Sequence, residues 1–158
     1  MKQNYNALIL KSVKITAGAI LAILFASCLN LKYSATAGII TILSIQNTKK
    51  ETIQTALARG EAFCCALLVS FLCYNFFGYT TAAFGIYLLI FTTLCLAMKW
   101  SSAIAMDSVL ITHFLAEKTM NIPMIANEIS LFLIGAGIGV LLNLSLRPKE
   151  NAWKDKMA

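Results

Sequence analysis

The chain has 158 residues, of which 59% are apolar and 13% charged, with a net charge of +6 and a mean hydropathy of +0.76. A soluble domain usually carries about a quarter charged residues, so too little polar surface is present to coat a water-soluble globule. The positive charge forms no basic stripe interleaved with aromatics, which excludes nucleic acid as the partner and leaves the lipid bilayer.

Six apolar stretches follow in chain order, at about 13–31, 33–47, 60–78, 80–98, 100–117 and 123–146. Lipid offers no water to unpaired backbone groups, so each is expected to be a transmembrane helix. The fold class expected is an all-α integral membrane protein. Residues 1–147 form its six-helix domain, and residues 148–158 a cytoplasmic polar tail. "LFASC", ending at Cys28, imitates a lipoprotein cleavage site. The polar lead "MKQNYNALILKSVK" is long for a signal peptide, and the remaining stretches need this one as a partner, so it reads as a retained span.

The segment "NTKKETIQTALARGEAF" joins the second and third stretches. Thr48 and Glu51 have the spacing of a capping box. Ile53, Ala56, Leu57 and Gly60 then share a helical face. The pattern predicts a helix that starts at the cytoplasmic surface and runs directly into the third span. Pro123 suits the first turn of the sixth helix, and Pro148 marks its end. Cys28, Cys64, Cys65, Cys73 and Cys95 lie within apolar runs and form no CxxC pair. They read as small apolar residues, with neither a metal site nor a disulfide framework.

Charge sets the orientation. With the N-terminus inside, the cytoplasmic side receives Lys2, Lys11, Lys14, Lys49, Lys50, Arg59, Lys99, Arg147, Lys149, Lys154 and Lys156. The outside receives Lys32 and Lys118. Both termini are therefore expected in the cytoplasm.

The fifth stretch contains "AMDSVLITHFLAEK". A helix rising 1.5 Å per residue from Lys99 would place Asp107 roughly 12 Å along it, near the middle of a hydrocarbon core about 30 Å thick. An ionised Asp there costs at least about 2.5–3.5 kcal/mol. Ser108 and Thr112 add polarity nearby, and His113 and Glu117 share a face four residues apart. These groups fit a polar path or proton relay, and equally hydrogen bonding between helices or, for Glu117, a helix end in the interface. Glu61 and Glu128 begin helices near opposite surfaces, where helix dipoles favour them. In the sixth stretch, "GAGIG" sets Gly135 and Gly139 four apart, a spacing that admits a closely packed helix within or between subunits. Asn143 is a buried amide candidate.

Displacing the chain by 67 residues lays "GAILAILFASCLNLKYSA" over "GIYLLIFTTLCLAMKWSS". Gly18/Gly85, Cys28/Cys95, Lys32/Lys99, Ser34/Ser101 and Glu61/Glu128 coincide, and Gln46 falls on His113. Three helices per half is an odd number, so a repeat of this kind is inverted in the membrane, as in many secondary transporters. Chance likeness between apolar helices is the competing account.

The stretch "YSATAGIITILSIQNTKKETIQTALAR", with His113 and "NEISLFLIGAGIGVLLNL", resembles the bacterial aromatic acid exporter family of the fusaric-acid-resistance-like membrane proteins. The resemblance covers most of residues 5 to 147 in order. It implies a six-helix membrane domain in the bacterial cytoplasmic membrane, efflux of aromatic carboxylates, and commonly a cytoplasmic C-terminal domain, which, with the sequence stopping ten residues after Pro148, is expected to be absent or cut away. Asp107 matches no residue of the family pattern, so its role rests on depth.

The reading is a multi-pass exporter of small organic anions, homo-oligomeric and without a cofactor or metal. Lys49, Lys50 and Arg59 would attract anions at the cytoplasmic mouth. Gln46, Asp107, Ser108, Thr112 and His113 would line the path, with His113 or Asp107 exchanging a proton. A passive organic-anion channel and a non-transporting membrane scaffold are the alternatives. No nucleophile–base set points to an enzyme.

Overall fold

The computed structural model describes residues 5–45 and 49–146, the side chains of residues 49, 145 and 146 excepted. Among the described residues every regular element is helical. The order is α1 (Tyr5–Cys28), α2 (Ala35–Leu43), α3 (Lys49–Phe77), α4 (Thr81–Ala97), a 3-10 turn (Ser101–Ala103), α5 (Ile104–Glu117) and α6 (Ile122–Leu146). Three helices are long and apolar enough to cross a membrane, over Tyr5–Cys28, Lys50–Phe77 and Ile122–Leu144. α4 is a shorter apolar helix. With 9 and 14 residues, α2 and α5 are shorter still, rising only about 14 and 21 Å against a core about 30 Å thick.

The helix drawn through Arg59 is present as α3, continuous from Lys49 to Phe77. Thr48, its expected cap, and Gln46 lie outside the described residues, as does the tail from 147.

Left-handed residues make α2 and α5 short. Asn30 (φ 55) follows α1, and Lys99 (φ 61) follows α4. In both places the next N–H reaches back five residues, Leu31 to Ala26 O at 3.1 Å and Trp100 to Cys95 O at 2.7 Å. The left-handed residue itself bonds three residues back, to Ser27 O and Leu96 O. This double bond pattern closes a helix and turns the chain. The fifth helix, expected from residue 100, is therefore α-helical only from Ile104.

Helix ends recur at one spacing. Cys28 and Ala97, Ala35 and Ile104, and Phe77 and Leu146 are each 69 residues apart, and Asn30 and Lys99 share that spacing. The identities in sequence fall at 67, so the two registers differ by two residues.

The chain divides into two compact units. The first takes residues 1–54 and 130–158. Here α6 meets α2 backbone to backbone. A Cβ on Gly135 would lie 2.7 Å from Ala37 O, and one on Gly139 2.9 Å from Thr41 O. Thr41 Oγ1 donates to Gly135 O at 3.0 Å. One further turn along the same face, buried Asn143 donates to Thr52 Oγ1 near the start of α3.

The second unit takes residues 55–129. Its core joins Ala62, Ala66, Tyr74, Tyr87, Phe91, Cys95, Ile111 and Phe114. Small residues on α3 and aromatics on α4 accompany an α5 that buries one face, from Met106 to Phe114.

Candidate functional site

The buried Asp and His of α5 fall on two stripes of the helix. At about 100° per residue, Asp107, Ile111 and Phe114 form one stripe, and Met106, Leu110 and His113 the other. All six are buried. Asp107 and His113 therefore share a helix but sit about 120° apart around it.

Glu128 is the partner on the second stripe. It lies within α6, not at its start, and is fully buried. Its Oε2 is 2.7 Å from His113 Nδ1, and its Oε1 accepts from Asn127 Nδ2 at 3.1 Å. Both carboxylate oxygens are thus engaged, which is what burial of a carboxyl requires. The sequence offered Glu117 as a possible partner of His113 by helical spacing and assigned Glu128 to a helix start. The contact with Glu128 spans 15 residues, a separation that local spacing does not reveal.

The first stripe carries a different arrangement. Asp107 sits in the first turn of α5 and is fully buried. Neither of its carboxylate oxygens has a hydrogen-bond partner among the described residues. Arg59 of α3, only 6% exposed, is electrostatically coupled to it, and Arg59 Nη1 lies 3.9 Å from Met106 Sδ. Tyr87 and Cys95 of α4 also lie within electrostatic range of Asp107. The Tyr87 hydroxyl lies beside the Ser108 hydroxyl. The Tyr87 ring is stacked between Phe84, at a centroid distance of 5.6 Å, and Phe91, at 5.4 Å. A cation, a carboxyl and two hydroxyls thus meet in an apolar surround.

The remaining sequence candidates are dispersed. Thr112 Oγ1 donates to the Val109 carbonyl of its own helix. Lys50 is exposed at the start of α3, whereas Arg59 is buried well along it. Lys49 begins α3, and its side chain lies outside the described residues. Gly135 and Gly139 belong to the first unit, against α2. Sequence reasoning missed Tyr87, whose signal was faint: a hydroxyl on an apolar helix without an interface to explain it.

Residues 7–146 match the model of aromatic acid exporter family member 1. An uncharacterized protein of Bacillus subtilis (strain 168), YqjA, is 36% identical over 150 residues. The match covers 93% of this chain and 47% of that protein, so the chain spans about half the length of the curated relative it matches. No solved structure matches.

Proposed function

The chain belongs to the aromatic acid exporter family, and from that premise we propose that it carries small aromatic organic acids out across the bacterial cytoplasmic membrane. It is a helical membrane protein with three apolar helices of spanning length. One observation carries the finer reading: ionisable groups are buried inside its apolar second unit. Asp107, Arg59, His113 and Glu128 are each at most 7% exposed. Charged groups within apolar helices are expensive and mark ion or proton paths. His113 or Asp107 is the group of this path that exchanges a proton.

Support for an internal repeat comes from the shared 69-residue spacing of helix ends. In that register Gly135 and Gly139 correspond to Ala66 and Ser70, which are fully buried small residues. The small stripe that lets α6 approach α2 would then have its counterpart on α3. Three helices per half make the repeat inverted, with both termini in the cytoplasm and the exporter assembled as a homo-oligomer.

Reconstitution into liposomes tests the function. Accumulated benzoate should leave loaded vesicles faster with the protein than without it, and an imposed pH gradient should change the rate. Flux insensitive to pH would make the protein a passive channel. Absence of flux for every aromatic acid tried would leave a scaffold.

A further inference from the structure

We propose that the outward face of α3 is the surface on which a second copy of this chain docks, α3 lying parallel to α3 about a two-fold axis along the membrane normal. The inference rests on the homo-oligomer reading above and gives that oligomer its contact surface.

α3 has two opposed faces. Arg59, Ala62, Ala66 and Ser70 are buried on one of them. On the reverse, Leu57, Glu61, Cys64, Leu68, Phe71 and Asn75 are all exposed. Their positions advance by four and three residues in turn, which is the seam by which two helices pair.

Glu61 distinguishes this face from one solvated by lipid alone. Measured back from Phe77, a hydrocarbon core about 30 Å thick reaches to about residue 57, so Glu61 stands within it. α3 begins at Lys49, which puts Glu61 about three turns inside the helix. The helix dipole that would support it at a helix start fades within the first turn. Among the described residues no ion pair reaches it. Carboxyl groups inside membrane helices are expensive and face protein or water rather than lipid. Glu61 is exposed, so the protein that covers it is another molecule.

Polarity selects a second copy as that molecule. When identical parallel helices meet about a two-fold axis, each seam position faces its own counterpart. Glu61 then meets the partner's Glu61 and Asn75 meets the partner's Asn75, while the four apolar positions meet their own kind. An unrelated apolar helix would leave both polar side chains unpaired in lipid. The Asn75 amide both donates and accepts, and protonated carboxyls at the axis donate to one another without carrying net charge into lipid. A slip of one turn would break both pairs, so the two polar layers fix the register. From Leu57 to Asn75 the seam rises about 27 Å, nearly the thickness of the core.

Cys64 supplies the test. A disulfide needs Cα atoms about 4.4–6.8 Å apart, and the seam sets Cys64 opposite the partner's Cys64. Oxidation of the full chain in bacterial membranes with copper phenanthroline should give a covalent dimer on a denaturing gel. Cys64→Ser should abolish that dimer, whereas Cys28→Ser, which removes an exposed thiol away from α3, should retain it. In detergent, sedimentation equilibrium should show Glu61→Leu dimerising roughly three- to thirtyfold more weakly than wild type, the worth of a polar contact between membrane helices. A covalent dimer that survives Cys64→Ser, or a Glu61→Leu chain that dimerises as tightly as wild type, overturns the proposed surface and leaves the homo-oligomer reading intact. A wild-type chain that sediments as a monomer and gives no covalent dimer overturns both. Flux of an aromatic acid by that monomer would still leave the exporter reading standing.

Discussion

His113 and Glu128 hold one another in place at 2.7 Å, with the carboxyl fully buried. Removing one member of such a pair strands the other, at a cost of roughly 3–5 kcal/mol, whereas replacing both by apolar residues is often nearly neutral. His113→Ala should therefore lower stability in detergent by about that amount, and His113→Leu with Glu128→Leu should recover most of it. Thermal unfolding followed by circular dichroism gives the comparison, and equal losses in both variants would show that the pair does not act as a unit. Thr112→Val should behave differently. Its hydroxyl is already bonded to the Val109 carbonyl, so liposome flux should stay within about twofold of wild type, a hydrogen bond within the helix being worth only about 1 kcal/mol. Asp107 and His113 stood out in the sequence because each interrupts an apolar run. Arg59 and Glu128 did not, since each lies near the end of its stretch, where a surface position explains a charge without tertiary structure. Only the fold carries α3 and α6 past those positions and buries both side chains.

Along α6 the glycines divide by what they face. A Cβ on Gly139 would meet Ser44 Cβ at 2.5 Å and Thr41 O at 2.9 Å, while one on Gly137 would meet nothing within 4 Å. Gly139→Ala must push backbone aside and should destabilise by about 1–3 kcal/mol. Gly137→Ala should be neutral or stabilising by up to about 1 kcal/mol, through helix propensity alone. Melting temperatures of the two variants in the same detergent decide this, and a Gly139→Ala protein as stable as Gly137→Ala would contradict the packing described. The four-residue spacing was visible in "GAGIG", but the helix it meets was not. The lengths of α2 and α5 were hidden for a related reason. Helices commonly end on a left-handed glycine, and here Asn30, Lys99 and Lys118 occupy that conformation instead. Apolar composition continues through those turns, so hydropathy alone merges turn and helix into one span.

On α1, apolar side chains are turned outward. Leu8, Ile9, Val13, Leu21, Leu24 and Phe25 of α1 are all largely uncovered, as suits a surface solvated by lipid chains. The membrane class was legible because composition alone leaves too little polar surface. The division into units was not, because it depends on which helices pair. Orientation rests on the distribution of Lys and Arg, and it yields a direct prediction. A cysteine placed at Lys50, which is exposed, in a background free of the five native cysteines should react with an impermeant thiol reagent only after cells are opened. Labelling in intact cells would invert the topology.

The first unit draws on both ends of the chain, residues 1–54 and 130–158, while the second is continuous from 55 to 129. During synthesis the two units therefore mature in a fixed order. The α1–α2 segment enters the bilayer early, yet the Gly135 and Gly139 backbone against which α2 closes is made only after the whole of the second unit. The continuous unit, which contains Arg59, Asp107, His113 and Glu128, has all its residues before then. Until Gly135 and Gly139 are made, the amino-terminal helices await their seal while the polar cluster is completed. Premature termination shortly after residue 129 would remove that seal while sparing every residue of the proposed site.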